Sequence, residues 1–258
     1  MRLSDMLFSQ GFGTRRECAA LIGHGRVSVG GVVMPDPDQV IAVDGLEFSV
    51  EGQRWQYQAQ AVLLLNKPAG FECSRQPRHH PSVLSLLPAP LQRRGAQPIG
   101  RLDQDTTGLL LLTDHGPLIH RLTSPKHHVP KVYEVGVKHP VSEVQLAQLR
   151  NGVVLDDDPL PVRAAACERS AECALQLTLT EGKYHQVKRM VAAVGNRVTS
   201  LHRSRFGALT LTADLAEGHW RWLTSAERAS LSVAPAQESV GKGSVAVRGQ
   251  AMDKEMGG

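Results

Sequence analysis

The stretch Gly100-Arg101-Leu102-Asp103-Gln104-Asp105-Thr106-Thr107-Gly108 runs without a break into Leu109-Leu110-Leu111-Leu112-Thr113. A tight polar loop thus feeds an apolar run of strand length. Such a loop holds a carboxylate at the rim of a sheet, partly dehydrated yet reachable, which suits a nucleophile or an acid/base group. Two other readings of the same residues stand beside this one. Asp103 and Asp105 can serve only to bind turn amides, as Asx side chains often do. Asp103-Gln104-Asp105-Thr106-Thr107 also spells D-x-D-x-T, a phosphotransfer signature. In that signature the apolar strand precedes the motif; here the evident strand follows it, and residues 95–99 make a poor strand.

Working outward, Val62 to Leu65 reads as a buried strand ended by Asn66-Lys67-Pro68-Ala69-Gly70, and residues 75–99 as a loop-rich insert with several prolines. Downstream, Val132 to Val137 alternates as a strand and Val141 to Leu149 suggests a helix. Val162 to Ala166 and Ala174 to Thr180 suggest two further strands, paired with each other. A helix over 183–194 buries Val187, Met190, Val191 and Val194, which recur at helical spacing. Lys188 falls on the flank of that stripe, with His185 and Arg189 roughly opposite. A strand region at 197–211 and a short helix capped by Thr224 and Glu227 follow. Residues 61–232 therefore read as one α+β domain on a mainly antiparallel sheet with flanking helices.

Residues 1–44 read as a small separate module. Leu3, Met6 and Leu7 mark one helix, broken at Gly11-Phe12-Gly13. Thr14 and Glu17 form a capping-box pattern for a second helix with Cys18, Leu21 and Ile22 on its apolar side. Val27 to Val33 then turn through Gly30-Gly31 as a hairpin. Residues 45–60 read as a polar linker and 233–258 as a disordered tail with little apolar content.

The whole chain of 258 residues is 41% hydrophobic and 21% charged, enough for a sizeable core. No apolar run approaches the roughly 20 residues of a membrane span, and the first residues carry an early acid with no signal-like apolar segment. The cysteines Cys18, Cys73, Cys167 and Cys173 make no C-x-x-C pair, so a reduced cytoplasmic setting is expected. The histidine pairs His79-His80 and His127-His128 are adjacent, a spacing that rarely chelates one ion. Lys and Arg number 29 against 25 Asp and Glu, for a formal charge of +4. That charge is uneven: 61–130 nets +4, 181–210 nets +5, and the remainder sums to −5. If folding joins the two basic stretches, they form the electrostatic footprint of a nucleic-acid-binding surface.

G-R-L-D-x-D-T-T-G-L over residues 100–109 resembles the catalytic motif of the pseudouridine synthases. Three further segments agree in order: Leu65-Asn66-Lys67-Pro68-Ala69-Gly70; Thr123-Ser124-Pro125-Lys126-His127-His128 with Lys131-Val132-Tyr133-Glu134-Val135; and Glu181-Gly182-Lys183-Tyr184-His185-Gln186-Val187-Lys188-Arg189-Met190. The likeness spans 1–232. Its wording is similar to that of the group acting on small-subunit rRNA, whose members begin with an S4-type RNA-binding domain, as 1–44 resembles. The resemblance implies conversion of one uridine in the 5′ domain of 16S rRNA, expected at position 516, with the partly assembled small subunit as partner. A non-catalytic RNA-binding assembly factor, or a family member acting on 23S rRNA, would carry similar features. The module's own charge (four basic residues against five acidic) argues that it adds little affinity.

The reaction implied breaks the bond from base nitrogen to ribose, turns the uracil and rejoins it through carbon 5. It neither gains nor loses electrons, so no cofactor and no metal are implied. By resemblance Asp103 is the reacting carboxylate, Lys188 the cation that keeps it charged, and Tyr133 the flat face on which uracil stacks. Arg101 fills the space left by the extruded base. Thr106, Lys183, His185, Gln186 and Arg189 are candidate substrate contacts. Arg15, Arg16, Arg26, Arg203 and Arg205 are candidate phosphate contacts.

Overall fold

The structure, a computed structural model, describes residues 1–156 and 158–231. The expected tail at 233–258 lies outside them. In the N-terminal unit, α1 (Leu3–Ser9) and α2 (Arg15–Gly23) pack on a four-stranded sheet ordered β2-β1-β3-β4. Its strands are β1 (Val27–Val29), β2 (Val32–Val33), β3 (Glu47–Val50) and β4 (Gln53–Gln56). The capping box opens α2: the Thr14 hydroxyl accepts from the Glu17 amide, and the Glu17 carboxylate from the Thr14 amide.

The stretch 45–60 is therefore no linker. Phe48 and Val50 alternate inward and join Leu3, Met6, Leu7, Ile22 and Val27 in the core of this unit. Trp55 and Tyr57 pack against the same cluster. The sequence hid this because the hairpin is short and its outer face is Gln, Arg and Glu, which reads as polar connection.

The second unit is built on a large sheet with the path β11-β12-β8-β13-β7-β5-β15. Its elements are β5 (Val62–Lys67), α3 (Ala89–Arg93), β6 (Gln97–Ile99), β7 (Thr107–Thr113), α4 (Gly116–Thr123), β8 (Lys131–Val137) and α5 (Glu143–Asn151). After β9 (Val153–Leu155) and β10 (Asp158–Val162) come β11 (Ala166–Ala171), β12 (Ala174–Leu179) and α6 (Gln186–Ala193). The chain continues through β13 (Val198–Phe206), β14 (Leu209–Thr210), β15 (Trp220–Trp222) and α7 (Ser225–Ser230). Ladders are antiparallel except that β13 runs parallel to β7.

The unbroken leucine run of β7 has a simple cause. Leu110 and Leu112 enter one core with Leu63, Leu65 and α5 and α6 residues; Leu109 and Leu111 enter the other with Val62, Leu64 and Leu118 of α4. A strand buried on both faces keeps no polar alternation.

Two expected strands differ. Residues 162–166 span the gap between β10 and β11, and the partner of β12 is Ala166–Ala171, a strand polar on its exposed face. Residues 97–99, read as a poor strand, do pair with Leu111–Thr113 as β6. Pro98 is tolerated because this strand lies at an edge. The two units meet at Arg94, whose guanidinium holds Asp114 (2.6 Å) and Gln10 (2.9 Å).

Candidate active site

Asp103 sits in the turn between β6 and β7. Its side chain keeps 28% of its surface exposed, so the carboxylate is reachable. Lys188, from the first turns of α6, places its ammonium 3.0 Å from Asp103 Oδ2 and 2.6 Å from Asp105 Oδ1. The helix register explains the reach: Val187, Met190 and Val191 are buried, so Lys188 emerges at the core edge with its stem packed and its charge outward. Burial draws the Asp105 pKa up, but the Lys188 hydrogen bond and charge outweigh it and leave it below the ordinary value. For Lys188 burial acts downward, and the hydrogen bonds it donates to Asp105 and Asp103 reverse it, leaving the pKa raised. The ammonium is thereby fixed in its charged form. Asp105, read from sequence only as a turn residue or part of a phosphotransfer pattern, shares the cation; its signal was the i, i+2 spacing of two carboxylates in one turn.

His185 lies on the other side of Asp103, with Nε2 3.4 Å from Oδ1. Its backbone is left-handed (φ 47°), which starts α6 only at Gln186 rather than at 183. Tyr184 stacks on the His185 ring with centroids 3.8 Å apart and remains 72% exposed.

The loop itself is held from beneath. Lys67, fully buried at the end of β5, donates to the carbonyl oxygens of Pro68 (2.9 Å), Gln104 (3.2 Å) and Thr106 (2.8 Å). Burial lowers its pKa, and the nearby Cys73, Asp105 and Asp103 act the other way. Arg203, 1% exposed, donates to Leu109 O and Gly100 O, both at 2.8 Å. Arg203 is thus a brace inside the fold and reaches no phosphate; its strand β13 is central, between β8 and β7. Gln186 is corrected likewise. It is 4% exposed, accepts from the Lys183 amide and donates to Glu181, closing the loop ahead of α6 rather than facing substrate.

Thr106 is 1% exposed; its hydroxyl is buried without a hydrogen-bond partner. Tyr133, on β8, is 9% exposed and shares a core cluster with Leu102, so it offers less open ring than a full stacking face. Its neighbour Lys131 is buried too, its pKa lowered by burial and by Arg203 to about 8. Arg101 is exposed, and Asp105 has Lys188 rather than Arg101 as its ion-pair partner. Among the described residues, no group of three or more His, Cys, Asp or Glu is placed to hold a metal ion.

The model of the RNA pseudouridylate synthase family matches residues 61–193, which contain Lys67, Asp103, Tyr133 and Lys188. The chain belongs to this family. An S4 domain model matches residues 1–43 of the synthase. The synthase is similar to the ribosomal small subunit pseudouridine synthase A of Escherichia coli K12, at 41% identity over 90% of this chain and 100% of that one. It is 39% identical to an uncharacterized RNA pseudouridine synthase of Bacillus subtilis, over 88% of this chain and 96% of the relative. A crystal structure of a pseudouridylate synthase superposes with a TM-score of 0.64 at 36% identity, covering 90% of this chain and 99% of that one.

In the synthase, folding does bring the two basic stretches together, because β13 pairs with β7 and α6 reaches the Asp103 loop. The joint surface is less positive than the count implies. Lys67 and Arg203 point inward, and Lys188 is neutralised by two carboxylates. Arg101 and Arg205 are exposed, while Lys183 and Arg189 are half-buried, Arg189 donating to Tyr184 O. In the S4 unit Arg15, Arg16 and Arg26 are all exposed; Arg15 is paired with Asp5 and Arg26 with Glu51. No described helix is long and apolar enough to cross a membrane.

Proposed function

We propose that this synthase converts one uridine of 16S rRNA, at position 516 of its 5′ domain, to pseudouridine on a partly assembled small subunit, with Asp103 as the reacting carboxylate. The single observation that carries the residue assignment is the reachable Asp103 carboxylate held between the Lys188 ammonium at 3.0 Å and His185 at 3.4 Å. The substrate assignment draws support from 41% identity to relatives named for the ribosomal small subunit, over their full length.

Lys188 sets its ammonium against the Asp103 carboxylate and stabilises charge as the base–ribose bond breaks. The target nucleotide leaves its stack to reach Asp103, at a cost of a few kcal/mol. Arg101, exposed beside Asp103, fills the space the base vacates. Tyr133 forms the sheet-side wall against the uracil. His185, Lys183 and Arg189 line the approach, while the Thr106 hydroxyl lies beneath the loop, away from it. Arg15, Arg16, Arg26 and Arg205 meet phosphates and make binding salt-dependent.

The test maps pseudouridine by chemical adduct and primer extension in a strain lacking this protein, and after incubating the protein with partly assembled small-subunit RNA. One pseudouridine is lost from 16S rRNA in the strain and restored by the protein. Asp103→Asn restores none while binding RNA nearly as well. Loss of a 23S rRNA pseudouridine instead, or product from Asp103→Asn at the parent rate, overturns the assignment.

A further inference from the structure

Two of the chain's three tryptophans, Trp220 and Trp222, line an open cleft of about 970 Å³ between the S4 unit and the synthase domain; the third, Trp55, turns its ring into the S4 core. One wall is the outer face of the S4 sheet. Strand register places Ser28, Ser49 and Arg54 in one row across it, with the hydroxyls of Ser28 and Ser49 2.6 Å apart. Glu47 and Gln56 form the next cross-strand pair on the same face. The other wall is β15, where Trp220 and Trp222 are half-buried with ring centroids 5.7 Å apart and planes at 90°.

A face-to-edge pair leaves an indole face unstacked by its neighbour, and the wall opposite supplies hydroxyl, amide and guanidinium groups. Those are the components of a single-strand platform: aromatic faces for bases, and neutral donors and acceptors for base edges and 2′-hydroxyls. The formal charges on the S4 wall are one cation (Arg54) and one anion (Glu47), so attraction of a polyanion alone does not account for it.

One wall of the cleft is joined to the Asp103 loop through the sheet, because β15 pairs with β5. Trp220 pairs with Leu65 and Trp222 with Leu63, on the face that packs with Tyr133 and Leu102. Leu65 is two residues ahead of Lys67, whose ammonium holds the Gln104 and Thr106 carbonyls of the Asp103 loop.

We propose that the cleft binds a single-stranded RNA segment flanking the target nucleotide, with bases stacked on Trp220 and Trp222 and edges read by the S4 sheet. This rests on the reading of the protein as an RNA-modifying enzyme, and its test is made independent of catalysis. Intrinsic tryptophan fluorescence of the full-length Asp103→Asn protein is titrated with a single-stranded oligouridylate, with binding followed in parallel by anisotropy of labelled RNA. RNA quenches the emission over the concentration range in which it binds. Trp220→Ala with Trp222→Ala weakens binding by at least roughly 5- to 150-fold, the range of one lost base stack. The corresponding phenylalanine variants, folded by circular dichroism, stay within a few-fold because the stacking faces remain. RNA that binds without quenching, or alanine variants that bind as the parent does, overturns the proposal. So does quenching by an unstructured peptide and not by RNA, which makes the cleft a protein-docking site. Loss of product from Asp103→Asn bears on the reaction alone, so either reading can fail without the other.

Discussion

Lys188 Nζ stands 3.0 Å from Asp103 Oδ2 while forming its shorter contact, 2.6 Å, with Asp105. One cation thus serves two carboxylates of the same turn, and the two are not equivalent. Asp105 is the more exposed, 54% against 28%. Lys188→Met removes the charge supporting both and should lower the single-turnover rate at least tenfold while changing RNA affinity less than threefold. Asp105→Asn leaves the ammonium wholly to Asp103 and should cost less rate than Lys188→Met. Rapid-quench measurement at saturating RNA separates the two; an affinity loss with unchanged rate in Lys188→Met contradicts the role.

Gly108 predicts a backbone effect. It sits in β7 at φ 103°, and an added Cβ would lie 2.8 Å from the Arg203 nitrogen and closer still to its carbonyl oxygen. Gly108→Ala therefore separates β7 from β13 just after the Asp103 loop. A loss of stability of roughly 2–4 kcal/mol is expected in chemical denaturation, together with loss of activity. Unchanged stability would show that the two strands shift apart at little cost.

Lys67 predicts the outcome of deleting a buried cation. Its ammonium satisfies three carbonyl oxygens and is completely enclosed. Lys67→Met fits the apolar stem but orphans the acceptors, at about 1–3 kcal/mol for each that water cannot reach. Thermal unfolding should fall by several degrees, and Asp103 should lose its fixed position, so that activity falls further than stability. A melting temperature at or above that of the parent would count against the clamp.

The Arg221–Glu227 pair predicts an acid transition. Two hydrogen bonds, at 2.7 and 2.8 Å, and the Thr224 cap hold the Glu227 pKa near 2, against an ordinary value of 4.5. A folded-state pKa below the unfolded one stabilises above the unfolded value, and the contribution disappears as pH falls from about 4.5 toward 2. Glu227→Gln should cost about 1–2 kcal/mol at pH 7 and nothing near pH 2, read from denaturation midpoints across that range. Equal losses at both pH values would remove the electrostatic explanation.

Much of the synthase domain was legible because its strands are long and apolar and its helices carry caps. β5, β7 and β8 fall where hydrophobic patterning places them, and Thr14–Glu17 and Thr224–Glu227 both form capping boxes. Asp103 and Lys188 meet as the motifs imply. What escaped reading was decided by tertiary partners. The β3–β4 hairpin is amphipathic over too few residues to signal itself. α4 at Gly116–Thr123 is short and opens on glycine and proline, residues that more often interrupt a helix than announce one. Arg203 looks like any surface arginine in a basic stretch until β13 is seen to lie at the centre of the sheet.

The Asp103 turn is completed by residues far apart along the chain: Lys67 precedes it, and Lys188 and Arg203 follow by more than eighty residues. Contacts of such long range form late, after local elements have condensed. During synthesis the turn leaves the ribosome well before its ammonium and its guanidinium brace. The reacting turn is thus completed only once the last strands of its sheet have been made.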